Sequence, residues 1–227
     1  YHTPALDPRG RDRIDTLSDR VATGTPRTYA AKDHIFREGD PASHVYLVEA
    51  GHICIYRMMA DGRRQVIDFA YAGDFIGLGA LEEHAANAQA TTKTRVRCIP
   101  VSALHDIARH DARFGLKLYE AVSRELQAAR ELLFTVSQRT ATERHAAFLM
   151  ALSRRNERRG EDPTEIVLPM TRTDIADFLG LTIETVSRTF TKFRSEHLID
   201  REQNILVTIR EAGALEQMAE GNSMIHG

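Results

Sequence analysis

Residues 172–190 read RTDIADFLGLTIETVSRTF. Two short helical patterns meet here, 172–179 and 183–195, joined by Gly180-Leu181-Thr182. Ala176, Gly180 and Val186 stand at positions 5, 9 and 15 of the stretch, where a helix-turn-helix needs those residue types. The small alanine lets two helices cross closely, the glycine takes the positive φ of a tight turn, and the valine closes the core between them. Thr182 is placed to cap the second helix and leave its N-terminal end free to enter a groove.

On that second helix Ile183, Val186, Phe190 and Phe193 recur at i, i+3, i+7 and i+10 and are expected to face a core. The opposite face carries Glu184, Ser187, Arg188, Thr191 and Lys192. Glu184, Ser187 and Arg188 share one side, and their chemistry suits base edges. An arginine pairs with guanine O6 and N7, a carboxylate accepts from the cytosine amine, and a serine does either. An i, i+4 ion pair between Glu184 and Arg188 is expected to offset repulsion between the carboxylate and phosphate. Thr171, Thr182, Thr191, Lys192 and Arg194 are candidates for phosphate contacts, which position a domain rather than specify sequence.

Outward from this stretch the chain changes character twice. Over 27–101 short β-rich runs appear, HVYLVEAG, HICIYRM and QVIDFAYAG, punctuated by Gly39, Gly51, Gly62 and Gly73 at spacings of 12, 11 and 11. Even turn spacing with alternating strands predicts an all-β barrel or sandwich, and Asp61-Gly62 predicts a two-residue hairpin turn. From Phe114 to Gln138 the helix period takes over. Tyr119, Val122, Leu126, Ala129, Leu133 and Val136 alternate steps of three and four with charged residues between them. So narrow an apolar stripe needs a partner of similar shape, and a second copy of the chain is the simplest one. Residues 140–153 predict another amphipathic helix, 154–166 a charged loop, 204–209 a strand, and about 210–219 a last helix. The division expected is an arm at 1–26 (with a helical turn at 11–18), a β-roll at 27–110, a dimerisation helix at 111–138 and a DNA-binding domain at 139–227.

Composition bounds the rest. With 227 residues, 42% hydrophobic and 27% charged, the chain suits two modest globular domains. No apolar run spans a bilayer and the N-terminal stretch lacks the apolar core of a signal peptide, so no membrane partner and a cytoplasmic location are expected. A net charge of −2 does not advertise nucleic-acid binding, although a local basic face is compatible with it. Cys54 and Cys98 are too few for a disulfide framework. No nucleophile–base spacing, glycine-rich phosphate loop or carboxylate pair marks an enzyme. His34, His44, His52 and His84 form no diagnostic ligand pair, so neither metal nor cofactor is expected.

The segment 179–193, LGLTIETVSRTFTKF, resembles the recognition segment of the CRP/FNR superfamily of bacterial transcription regulators, in the E-x-x-S-R form of its FNR branch. Residues 37–51 and 73–79 resemble the same superfamily's cyclic-nucleotide-binding-type β-roll, and 79–100 the FNR-type end of that roll. The resemblance covers about 27–215. It implies an α+β chain with an N-terminal roll, a long dimerisation helix and a C-terminal winged helix-turn-helix. It also implies a homodimeric activator that reads a TTGA-type palindrome on double-stranded DNA and works with RNA polymerase. Two departures narrow the expectation. No arginine lies between Arg64 and Arg95, so nothing in the roll neutralises a cyclic phosphate. Two cysteines cannot supply the four thiolates of a [4Fe–4S] cluster. What remains resembles the FixK-type subgroup, whose expected targets serve low-oxygen respiration, denitrification or nitrogen fixation.

Overall fold

The computed structural model describes residues 24–79, 82–202 and 205–221; residues 1–23 of the expected arm, with the helical turn expected at 11–18, lie outside them, and the end of that arm, from Thr25, already belongs to a strand. The described residues form two compact units, one made within 24–53 and 69–124, the other within 54–68 and 125–221.

Among the described residues eight strands precede the helices: β1 (Thr25–Tyr29), β2 (His34–Phe36), β3 (His44–Ala50), β4 (His52–Met58), β5 (Arg64–Tyr71), β6 (Phe75–Ile76), β7 (Asn87–Ala90) and β8 (Thr94–Pro100). They make two four-stranded sheets, ordered β1-β8-β3-β6 and β2-β7-β4-β5. In the first sheet β8 pairs antiparallel with both β1 and β3, setting Cys98 beside Thr25 and Tyr46. The glycine spacing read from the sequence has a backbone cause: Gly39, Gly51, Gly62 and Gly73 all have φ between 82 and 89°, a region that side chains with a Cβ rarely enter. At Gly51 a Cβ would also meet Lys93 O and Thr94 Oγ1 at 2.5 Å. The hairpin at Asp61-Gly62 is wider than a two-residue turn. Met59 N donates to Arg63 O at 2.8 Å and Gly62 N to Met59 O at 2.9 Å, while Asp61 accepts from Arg63 N and Nε.

A helix follows directly over residues expected to belong to the roll, α1 (Val101–His110). Leu104 packs with Val45, Leu47, Ile99 and Phe114 into one buried cluster. A run of ten residues between two strongly patterned regions hid it from the sequence. The long helix α2 (Ala112–Gln138) has 27 residues, a length of about 40 Å.

After the end of α2 the second unit continues with α3 (Ala141–Arg159), capped by a reciprocal Thr140–Glu143 box and ended by Gly160 in the left-handed conformation. The charged segment expected as a loop therefore continues the helix for six residues past 153 and then enters β9 (Glu165–Val167). Next come α4 (Arg172–Leu179), α5 (Ile183–Ser195), β10 (Ile199–Glu202), β11 (Leu206–Ile209) and α6 (Ala212–Ala219). The strands pair antiparallel in the order β10-β11-β9. This three-stranded wing gathers two strands, β9 and β10, that are too short to announce themselves in sequence.

His145 sits at the centre of this unit with no exposed surface. Its ring packs edge-on to Phe190 at 4.2 Å and to Phe193 at 5.7 Å, and neither ring nitrogen has a hydrogen-bond partner. Burial, with a smaller push from the Arg172 charge, lowers its pKa from 6.5 to about 3. The ring folds neutral, whereas the unfolded chain takes up its proton below about 6.5. Stability therefore drains from the fold as pH falls through 6.5 toward 3. In His145→Leu the denaturation midpoint of this unit should drop less between pH 7 and pH 5 than in the parent, measured by urea titration at each pH. An equal drop would place the acid sensitivity elsewhere.

Candidate nucleic-acid interface

The helix pair α4–α5 is assembled by local chemistry at each end. Thr171 caps α4: its hydroxyl accepts from Asp174 N at 3.1 Å, and Thr171 N donates back to Asp174 Oδ2 at 2.8 Å. Such a box satisfies donors that the first turn otherwise leaves unpaired. Gly180 ends α4 at φ 63, ψ 42, with its N–H and that of Leu181 both returned to Ala176 O. Thr182 then caps α5 by accepting from Thr185 N at 3.3 Å. Ala176 and Val186 are buried at the crossing, so the helix-turn-helix framework stands as expected. His197, at φ 55, closes α5, where Leu198 N donates back to Phe193 O.

A residue the sequence reading did not single out locks the turn. Arg144 donates from Nη1 to Leu179 O at 3.1 Å and to Gly180 O at 3.4 Å, and from Nε to Arg139 O at 2.9 Å. It fastens the start of α3 to the end of α4 and lays a positive charge at the negative pole of that helix. An arginine early in an amphipathic helix carries no sequence mark of this role.

Val186, Phe190 and Phe193 are buried as expected, but Ile183 is 43% exposed. It lies in the first turn, before α5 reaches the body of the unit. Thr189 takes up buried space instead, its hydroxyl donating to Thr185 O at 2.9 Å. On the outer face Glu184, Ser187, Arg188, Thr191, Lys192 and Arg194 are all exposed, as are the caps Thr171 and Thr182. Thr191 Oγ1 donates to Ser187 O, and Lys192 lies 3.9 Å from Glu196. Glu184 and Arg188 do not form the anticipated ion pair. Arg188 Nη2 donates to Thr185 Oγ1 at 3.3 Å. The Glu184 carboxyl is held below its ordinary range first by its own backbone N–H and the Thr182 hydroxyl, with Arg188 a lesser attraction. The capped helix end thus serves the carboxylate better than a long side chain one turn on.

Arg172 joins this face through the fold. Its guanidinium lies 3.2 Å from the Phe190 ring centroid, a cation–π contact. With Ser187, Phe190, Thr191 and Arg194 it lines an open recess of about 150 Å³. Two arginines and two hydroxyls around one hollow make a surface suited to a phosphate group. Among the described residues no group of three or more His, Cys, Asp or Glu side chains could hold a metal ion, and no helix is long and apolar enough to cross a membrane. In the roll His84 is buried and stacked on Phe36 at 3.7 Å.

A roll of antiparallel strands, a long helix and a winged helix-turn-helix define a DNA-binding transcription regulator. Residues 26–111 match the family described as cyclic nucleotide-binding domain, and residues 143–218 the family described as Crp-like helix-turn-helix domain. The chain is 37% identical over 199 residues to the nitrogen fixation regulation protein FixK of Azorhizobium caulinodans, covering 87% of this chain and 80% of that one. It is 33% identical over 210 residues to the fumarate and nitrate reduction regulatory protein of Escherichia coli, with coverage of 92% and 82%. The structure of FixK2 from Bradyrhizobium japonicum superposes with a TM-score of 0.80 at 32% identity, over 86% of this chain and 96% of that one. The chain belongs to the CRP/FNR family of transcription regulators, and these relatives are regulators rather than enzymes.

Arg144→Met keeps the aliphatic stem and removes the donors, leaving Leu179 O and Gly180 O without their charged partner. The expected cost is about 1–2 kcal/mol of stability, read as a lower midpoint in thermal or denaturant unfolding. An unchanged midpoint would mean that water replaces the guanidinium without loss.

Proposed function

We propose that this protein is a homodimeric transcription activator that binds a palindromic TTGA-type site and recruits RNA polymerase to genes of low-oxygen respiration, denitrification or nitrogen fixation. The observation that carries the reading is the exposed Glu184–Ser187–Arg188 face on a capped α5. Its base-directed side chains project from a helix whose opposite side is buried by Val186, Phe190 and Phe193. Thr171, Thr182, Thr191, Lys192 and Arg194, joined by Arg172, supply the phosphate contacts. The likeness to FixK and to the fumarate and nitrate reduction regulatory protein supports the choice of target genes.

Dimerisation rests on α2. Tyr119 is 70% exposed, Leu133 67% and Leu126 51%, while Val122 and Ala129 are also open and Val136 half-buried. An apolar stripe left open on one chain is covered when two copies pair along it. Two-fold pairing sets the recognition helices about 34 Å apart, one DNA turn, and so calls for a palindrome.

The reading uses neither a cyclic nucleotide nor an iron–sulfur cluster. The roll offers no arginine from 65 to 94. Asn87 Oδ1 accepts from Glu38 N, and Gln89 Nε2 donates to Lys32 O, so both side chains serve the roll's own backbone. Of the four thiolates a cluster needs, the described residues provide two cysteines, both buried. Burial pushes the Cys54 thiol up to about 12 and the Cys98 thiol above its usual value, which disfavours the thiolate a metal requires.

Selection of bound duplexes from a random pool should return a TTGA-containing palindrome. Arg188→Ala should cost about 1–3 kcal/mol in affinity and relax the preference at one G·C pair per half-site. Unchanged preference would remove Arg188 from the base-reading set. Replacing both Leu126 and Leu133 with glutamate should give monomers in sedimentation that bind the palindrome weakly; surviving dimers would refute the seam.

A further inference from the structure

The β4–β5 hairpin reaches α4 through Arg64 and its neighbour Gln65. Arg64, at the start of β5, donates from Nε to Asp177 Oδ2 at 3.0 Å and from Nη2 to Asp174 Oδ1. Gln65 Nε2 adds a bond to Asp177 O at 2.6 Å. The guanidinium also lies 5.2 Å from the Tyr56 ring centroid. None of the three charged side chains in this fork is more than 25% exposed.

Asp174 serves two masters through its two oxygens. Oδ2 accepts from Thr171 N and Oγ1, closing the capping box of α4, while Oδ1 accepts from Arg64. Burial pushes its pKa up, but the bonds from Arg64 and Thr171 outweigh it and hold the carboxyl below its ordinary range. The cap that starts α4 and the tether that holds it to the hairpin therefore share one carboxylate.

Without Arg64, Asp174 would lose its cationic partner beside Thr171 at the start of α4, and Asp177 would lose its own further along the helix. That end of the helix pair is the one assigned to phosphate, and uncompensated negative charge there opposes DNA. The outward face of α5 is untouched by the tether, since Arg188 bonds within its own helix to Thr185.

We propose that Arg64 is a positioning residue for DNA binding: by forking across Asp174 and Asp177 it clamps α4 to the β4–β5 hairpin and offsets one of the two negative charges that would repel the DNA backbone. The proposal rests on the DNA-binding reading above. Arginine suits this fork because Nε and Nη2 donate from fixed, separate positions, whereas a lysine carries its three donors on a single nitrogen at the end of a flexible stem. The clamp acts on affinity and leaves base preference alone, which separates it from Glu184, Ser187 and Arg188.

The test uses the full chain with Arg64→Ala, Arg64→Lys and the exchange Arg64→Asp with Asp177→Arg. Binding is measured by fluorescence anisotropy to a duplex carrying the TTGA palindrome and to a scrambled duplex. Arg64→Ala should weaken binding to the palindrome about tenfold, the size of one close interfacial charge effect, with the ratio between the two duplexes unchanged. Arg64→Lys should fall between the parent and Arg64→Ala, and the exchange should recover part of the loss. Hydrogen exchange supplies a readout free of DNA: amides of residues 173–179 should exchange faster in Arg64→Ala while those of β8 do not change. Unchanged or tighter binding together with unchanged exchange would overturn the clamp, and so would a lost preference for the palindrome in Arg64→Ala. A parent protein that does not distinguish the two duplexes, combined with faster exchange in Arg64→Ala, would refute the operator reading and leave the clamp standing.

Discussion

At Gly180 the backbone turns through the left-handed region, and the orientation of α5 follows from that turn. A residue with a Cβ is disfavoured there, so glycine makes the sharp change of direction accessible. The Ala176 carbonyl collects the N–H groups of Gly180 and Leu181, and Arg144 takes the carbonyls of Leu179 and Gly180. With the polar groups of the turn satisfied, α4 and α5 meet at one angle. Every side chain on the outer face of α5 inherits its direction from that angle.

The interior beneath α5 is aromatic and holds a histidine without hydrogen bonds. Phe190 and Phe193 surround the His145 ring, and Arg172 lies against Phe190 from the outer side. One phenyl ring thus separates a buried neutral imidazole from an arginine on the surface proposed for DNA. The Arg172 charge helps keep that imidazole neutral. Core packing and surface charge are joined here at a single residue, so changes to Phe190 would disturb both.

Polar residues at helix starts carry more than local capping. Thr140, Thr171 and Thr182 each begin a helix, which spaces three helices along 55 residues with little help from long hydrophobic runs. In the Thr171 case the reciprocal partner Asp174 also takes the Arg64 ion pair. A cap of this kind ties the formation of a helix to the position of a hairpin more than a hundred residues earlier in the chain.

Much of this was legible in the residues alone. The Ala176–Gly180–Val186 spacing, the threonine caps and the evenly spaced roll glycines are local demands of backbone geometry, and local demands leave local marks. The stripe from Tyr119 to Val136 and the polar face at Glu184, Ser187 and Arg188 follow from helical period in the same way. Of the short elements, α4 announced itself by its turn glycine and threonine cap, but α1, β9 and β10 carry no such mark and owe their form to neighbours. Ile183 turned outward since burial depends on where the rest of the unit ends, and Arg188 chose Thr185 over Glu184 because the helix cap already satisfied the carboxylate. Arg64, Arg144 and Arg172 gained their roles only when the fold brought distant carboxylates, carbonyls and a ring within reach. Sequence spacing determined the long helix, the helix pair and, Ile183 apart, the faces they show; the tertiary structure decided the short elements and which charges meet, since a long side chain finds its partner in space and not along the chain.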